Sequence, residues 1–369
     1  MRAPVLHLTA AALVAVGWLL SASIASAEPY LAVQNGFKCG QCHVNPTGGG
    51  KRNMFGMIYA RTQLAARTVL RDEKDVGWNS SVTDWFGVGG DYRGGFKNVD
   101  LPNGPDASET TTTKGAVYVE FKAVPNLLTI YFDQQLAPGS SIERERYVLL
   151  TPKHGKYTIK AGQFFLPFGL RLQDDATFVR QRSGINFDTP DDGIELGLEL
   201  PKFSAQVAAT NGTAGAGSVS GKSQVSLSAS YIRPRWRAGA SVNMNRDPLG
   251  DRNMQGLFGG FKTGPVTWLG ELDFITDDRP GGGSDNKQLA TLFEADWLIM
   301  KGHNLKFGIE FLDPSNRTGG DRQQRYSVVW EHAPIQLLQV RVGMRMYDGP
   351  AVQPFTNRNE AFAEAHAYF

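Results

Sequence analysis

The only two cysteines among 369 residues stand three apart, in Cys39-Gly40-Gln41-Cys42, and His43 follows at once. Two thiols at this spacing beside an imidazole form the attachment pattern of a c-type haem. The thiols add to the ring's vinyl groups as thioethers, and attachment holds the iron beside the histidine, its proximal ligand. Competing chemistries fit less well. A disulfide closing so small a loop stabilises little. A redox-active Cys-x-x-Cys pair needs a thioredoxin-like βαβ setting, and no such pattern follows. The expectation is one haem c on Cys39, Cys42 and His43.

The neighbouring residues leave two questions open. Met54 and Met57 lie on a stretch, roughly 52–70, in which Phe55, Ile58, Thr62, Ala65 and Val69 recur at spacings of three and four. That spacing predicts an amphipathic helix. Either methionine is a candidate for the sixth position on iron, where sulfur raises the potential; ordinary packing is the alternative for both. His154, His303, His332 and His366 are further candidates. Gly48-Gly49-Gly50 offers a bend round the haem, and Lys51 and Arg52 offer cations for its propionates. A plain turn with a solvated basic pair is the alternative.

Around this site the chain divides into three. Residues 1–27 read as a secretory signal peptide, with Arg2, an apolar run from Leu6 to Leu20, and Ala25-Ser26-Ala27 as the cleavage site. Residues 28–80 are the haem segment and 81–369 the remainder. After Ala27 no apolar run approaches 20 residues, so no transmembrane helix is expected. A net charge of +2 gives no argument for a nucleic-acid partner. Hydrophobic content of 41% and a mean hydropathy of −0.28 suit a soluble β protein or a membrane barrel with a wet lumen. The 42 glycines favour strands joined by tight turns.

From about residue 82 polarity alternates with period two. Leu305, Phe307, Ile309 and Phe311 alternate with Lys306, Gly308 and Glu310; Val340, Val342, Met344 and Met346 alternate with Arg341, Gly343 and Arg345. Such strands suit lipid on one face and water on the other. A sandwich also alternates, but connection lengths separate the two. Short turns near Pro125, Pro152, Pro201, Pro234, Gly264, Gly302 and Pro334 alternate with connections that are mostly long, including 163–192. The prediction is a mainly β, transmembrane antiparallel barrel of about 16 strands, with short periplasmic turns and long outer loops. The end of the chain, Ala361, Ala363, Ala365, Ala367 and Phe369, resembles the sorting signal of outer-membrane barrels, and Trp85, Trp268, Trp297 and Trp330 are candidates for interfacial girdles. Glu271, Asp273, Glu294, Asp296, Glu310, Glu331 and Glu364 fall on the polar face and offer oxygen ligands that could guide Fe(II); a solvated lumen is the alternative.

A c-type haem motif ahead of a porin-like barrel resembles the monohaem cytochrome–porin fusions of bacterial outer membranes, whose best-known members oxidise ferrous iron. Cys39, Cys42, His43 and Asn53-x-Phe55-Gly56 carry the resemblance. Where the iron-oxidising members have Pro-x-Leu, this chain reads Asn45-Pro46-Thr47-Gly48-Gly49-Gly50, which leaves the donor open. A weaker likeness, Gly162-Gln163-Phe164 with Pro167-Phe168-Gly169, is to phosphate-selective porins. The resemblance implies an electron carrier or Fe(II)-oxidising cytochrome in the outer membrane of a Gram-negative bacterium. Its partners would be lipid, a periplasmic carrier such as a soluble cytochrome, and an extracellular donor or acceptor. The haem segment is expected to plug the lumen, with the loop 163–192 folded inward over the haem or forming an ordinary constriction. The alternative function is a diffusion porin for small anions, gated or anchored by the haem segment.

Overall fold

The computed structural model describes residues 28–69, 78–102, 106–185, 189–212, 222–248, 250–278, 284–350 and 356–369; the expected signal peptide, 1–27, lies outside them. Sixteen strands form one closed antiparallel barrel in which each strand pairs with its chain neighbours. β1 (Phe86–Asp100) closes the ring on β16 (Asn359–Tyr368), with Asp91 opposite Tyr368. Closure satisfies both edges of the sheet, which an open sheet would leave unpaired.

The period-two pattern sorts polarity as expected, and in the sense opposite to a soluble protein. In β13 (His303–Asp313) Ile309 is 53% exposed on the outer wall while the next residue, Glu310, is 1% exposed and faces inward. A wall with apolar residues outside and charges inside is stable only against lipid. Trp236, Trp268, Trp297 and Trp330 sit at the short-turn ends of β9 (Trp236–Arg246), β11 (Val266–Asp277), β12 (Asn286–Met300) and β14 (Gln323–His332). This is the aromatic belt such barrels carry at the lipid–water boundary.

Six of the seven inward carboxylates named above have partners, while Asp273 has no hydrogen-bond partner for either oxygen. Lys306 lies 3.4 Å from Glu28, 3.3 Å from Glu294, 3.7 Å from Asp296 and 4.0 Å from Glu331. Arg325 pairs with Glu310, and Arg341 with Glu331 and Glu364. Glu271 accepts from the Leu170 amide at 2.9 Å.

The connection after β5 (Tyr157–Phe164) turns inward across the lumen before β6 (Asp191–Leu200) begins. Its Pro167 carbonyl accepts from Ser226, its Gly169 amide donates to Ser241, and its Asp174 pairs with Arg325 and Arg345. Gly169 sits at φ +56°, where a side chain would be strained, and a Cβ there would lie 1.7 Å from Glu271 Oε1 and displace the carboxylate. Sequence reasoning identified this loop and its inward course.

Residues 28–69 are bonded to inward-facing side chains around the ring. Tyr30 donates to Glu331, and Gln34 accepts from Lys262 and Thr267. Asn45 bonds to Glu145 and Lys160, and Lys51 to Glu120. The helix expected over 52–70 is shorter: Met54–Tyr59, then a π-helical turn Ala60–Leu64. Beyond it the Ala66 amide donates to the Ala333 carbonyl at 2.8 Å. The buried face also differs. Met57 and Ala60 pack on Ala367 and Tyr368, whereas Phe55 and Val69 are exposed.

Lys306→Met should therefore destabilise the protein strongly, because it leaves buried carboxylates uncompensated; the expected loss is about 3–5 kcal/mol. Urea unfolding in detergent measures it, and a midpoint equal to wild type would contradict the role given to Lys306.

Candidate cofactor site

Cys39 and Cys42 occupy the single helical turn α2 (Cys39–Cys42), which follows α1 (Pro29–Asn35). Residues three apart share a helix face, so both thiols point the same way. Gln41 closes the start of the turn by accepting from the Lys38 amide at 2.8 Å. The His43 amide donates to the Cys39 carbonyl, ending it. The chain then makes a hairpin, with Val44 N bonded to Lys51 O and Asn53 N to Cys42 O, both at 3.0 Å. Gly48, Gly49 and Gly50 all have positive φ (+91°, +77° and +61°), which three residues with side chains would adopt only under strain. The triplet wraps Cys39 and Tyr131: Cβ atoms would lie 3.2 Å from Cys39 Cβ at Gly48 and 2.3 Å from Tyr131 Oη at Gly50.

The Asn53-x-Phe55-Gly56 signature now has a physical account. Asn53 caps α3 (Met54–Tyr59) by accepting from the Gly56 amide at 3.0 Å, and its amide group donates to the Gly40 and His43 carbonyls. Gly56 passes so close to the Cys42 carbonyl that a Cβ would lie 2.1 Å from its oxygen. The helix is thereby locked to the thiol turn.

Both cysteines are free thiols, half-buried. Burial pushes the Cys42 thiol up to about 11, against the pull of Arg52. His43 is 5% exposed, and neither ring nitrogen makes a well-formed hydrogen bond. Burial, reinforced by Arg52, lowers its pKa to about 3, with the Gly49 and Gly50 backbone acting the other way. The imidazole is therefore neutral at ordinary pH, the form that binds a metal. A buried polar group without a partner is rare in folded proteins.

Cys39, Cys42 and His43 line one cavity, enclosing about 1210 Å³ of empty space, part of it open to solvent. Phe37 and Tyr59 of the segment, Leu166, Phe168 and Leu170 of the inward loop, and Phe258 of the barrel wall make much of its surface apolar. Arg52, Arg171 and Arg237 also line it. An apolar slot with two aligned thiols, an orphaned imidazole and cations at its wall fits a c-type haem.

The other sequence candidates fall elsewhere. Met57 is 1% exposed in its contact with Ala367 and Tyr368, Met54 is exposed, and neither lines the cavity. His154 lies in a tight turn, and His303 and His332 stack on each other at 4.1 Å. His366 bonds to Gln173 and Gln339. Of the histidines and methionines among the described residues, His43 alone lines the cavity. Lys51 is held by Glu120 and Ser80, both away from the cavity lining, whereas Arg52 lines it. Arg171 belongs to the loop that sequence reasoning had singled out; Arg237 was missed, since one basic residue at an inward strand position gives no local signal.

No family model and no curated protein matches the chain in sequence. Solved structures do match in fold. A loop-deletion mutant of OmpT, an outer membrane protein of Vibrio cholerae, aligns at TM-score 0.63 and 13% identity, over 77% of this chain and 99% of that one. An anion-selective porin from Comamonas acidovorans aligns at TM-score 0.63 and 11% identity, with the same coverages. The outer membrane channel DcaP of Acinetobacter baumannii aligns at 0.56 and 15%, over 78% and 99%. The barrel is a porin fold.

Removing the Asn53 cap should cost about 1 kcal/mol, roughly a fivefold rise in the opened form of the segment. In limited proteolysis, Asn53→Ala and Gly56→Ala should be cut faster than wild type within residues 39–59 while the barrel stays intact. Equal cutting rates would show that this lock does not hold the segment.

Proposed function

We propose that this chain is an outer-membrane electron-transfer protein in which residues 28–80 plug the barrel lumen and carry one c-type haem. Convergence of two aligned cysteine side chains and a buried, neutral imidazole without a well-formed hydrogen bond on one apolar cavity carries the reading. Cys39 and Cys42 would hold the ring, and His43 would bind its iron. When bound, the haem supplies a one-electron couple. Phe37, Leu166, Phe168 and Leu170 exclude water from it. The bonds from Asn45, Lys51 and Tyr30 to the wall keep the segment in register with the barrel. A leader over residues 1–27 would deliver the chain to the periplasm. There the short-turn end faces a soluble carrier and the long-loop end faces an external donor or acceptor, Fe(II) among the candidates.

A second reading, a diffusion porin for small anions, draws on the likeness to porins, one of them described as anion-selective. The inward loop with its arginines would then select solutes. Conductance across planar bilayers separates the two: a plugged conduit passes little current, whereas an anion porin passes a steady, anion-selective one.

Denatured protein should keep a haem-stained band and a mass increase of one haem. Free thiols without haem would defeat the reading. Because neither methionine reaches the cavity, Met54→Ala and Met57→Ala should leave the Soret and α bands where they are. A shifted spectrum in either variant would assign that sulfur to iron. Redox titration with Fe(II) and Fe(III) offered as partners then tests the donor.

A further inference from the structure

The two ends of the barrel differ in charge. Seven turns close the short-turn end, and six of them bear a lysine or arginine in the turn or at the strand end beside it: Lys122, Lys153, Lys202, Arg235, Lys262 and Lys301. None of the seven turns contains an aspartate or glutamate. Lys122 stands 3.9 Å from Glu120, and Lys262 donates to the Gln34 carbonyl. Lys153, Lys202, Arg235 and Lys301 are exposed in the turns themselves. Glu199 and Glu331, at strand ends here, are already paired with Lys38 and Arg341, and Asp84 is an exposed carboxylate at this end. The long connections at the other end mix both signs: Asp100, Asp106, Asp285 and Asp348 are exposed there, along with Arg246 and Arg322.

Apolar surface stands inside the basic ring. Residues 34–38 press against the short turns, with Lys38 bonded to the Phe203 carbonyl at 3.2 Å and a Cβ at Gly36 only 3.0 Å from Pro234. Beside them Met54 is 53% and Phe55 45% exposed, and residues 29–69 hold no acidic side chain. The Phe55 ring lies 5.4 Å from Phe37 and 6.4 Å from Tyr59, and both of these line the cavity. One aromatic layer therefore separates the exposed Phe55 from the cavity.

We propose that the short-turn face docks the acidic contact face of a soluble redox protein, with Met54 and Phe55 at the centre of the contact. This rests on the electron-transfer reading above and adds the charge and the place of the contact. An apolar centre inside a charged rim is the ordinary anatomy of a protein interface. A rim of one sign speeds encounter with a partner of the other. Anionic lipid is the competing occupant, but the tryptophan belt puts lipid outside the ring of turns. Met54 and Phe55 stand inside that ring, which favours protein.

The test uses full-length, haem-loaded protein in detergent and two probes of similar potential, a soluble cytochrome c with an acidic contact face and one with a basic contact face. Haem stain and intact mass come first; a wild-type chain without haem defeats the electron-transfer reading and this proposal with it. With haem present, stopped-flow mixing should show the acidic probe exchanging electrons about tenfold faster than the basic one at low salt. That advantage should fade as ionic strength rises. The triple variant Lys202→Glu, Arg235→Glu, Lys301→Glu should abolish the preference, and Phe55→Ser should slow the acidic probe about tenfold, with the Soret band unchanged in both. Equal rates for the two probes in wild type, or rates independent of salt, overturn the docking face and leave the electron-transfer reading standing. Wild type alone decides this, so a variant that fails to fold does not block the test. A triple variant that exchanges electrons with the acidic probe as wild type does, yet loses thermal stability only in phosphatidylglycerol-rich nanodiscs, would assign the ring to lipid and overturn the proposal.

Discussion

Most of the charge buried inside the barrel is paired, and the position of residues 28–69 depends on that pairing. An inward-facing strand residue that is polar has water for a partner only if the lumen is empty. Here Glu120 meets Lys51, Glu145 meets Asn45, Glu199 meets Lys38, and Lys306 meets Glu28. In each pair one member comes from residues 28–69 and the other from the wall. A segment this short has too little apolar surface to fold alone, and its own buried set is small, with Tyr30, Val33, Met57 and Ala60 prominent. Its fold relies instead on polar pairs whose second halves are built into the strands. Losing one half leaves the other charged and dry, which costs several kcal/mol.

The same requirement separates what was legible in the sequence from what was not. Strands were legible because lipid and lumen impose opposite polarity on alternate residues, and every strand repeats the pattern. The thiol–histidine motif was legible because its spacing is a purely local signal, and the structure brings Cys39, Cys42 and His43 to one cavity. The inward loop was legible from its length and from the porin likeness. The helix over 52–70 was misjudged because its burying surface, Ala367 and Tyr368, lies some three hundred residues away. Helical periodicity chose Phe55 and Val69; the wall chose Met57 and Ala60. Likewise, Lys51 reads as a partner for a propionate until Glu120 is seen beside it, and the lining carboxylates read as a cation path until Lys306, Arg325 and Arg341 are seen among them.

The cavity has three walls from three sources, and they differ in what holds them. The floor is the thiol turn, kept in shape by the glycine triplet and by Asn53, whose bonds are all within the segment. The side is strands β7 (Phe203–Thr210) to β10 (Arg252–Thr263), fixed by the sheet ladder. The roof is the loop after β5, fixed by bonds from Pro167, Gly169 and Leu170 to Ser226, Ser241 and Glu271. These three bonds go to the barrel, and Arg171 of the same loop donates to the Gly48 carbonyl of the segment, so bonds within the protein hold the roof. Gly169 is what permits this, because any side chain there would strike the acceptor that holds its neighbour. A cavity whose walls are set independently of its occupant need not rearrange when the charge inside it changes. Such preorganised dipoles and cations avoid a reorganisation cost at the moment of transfer. The proposed one-electron site would draw on that property.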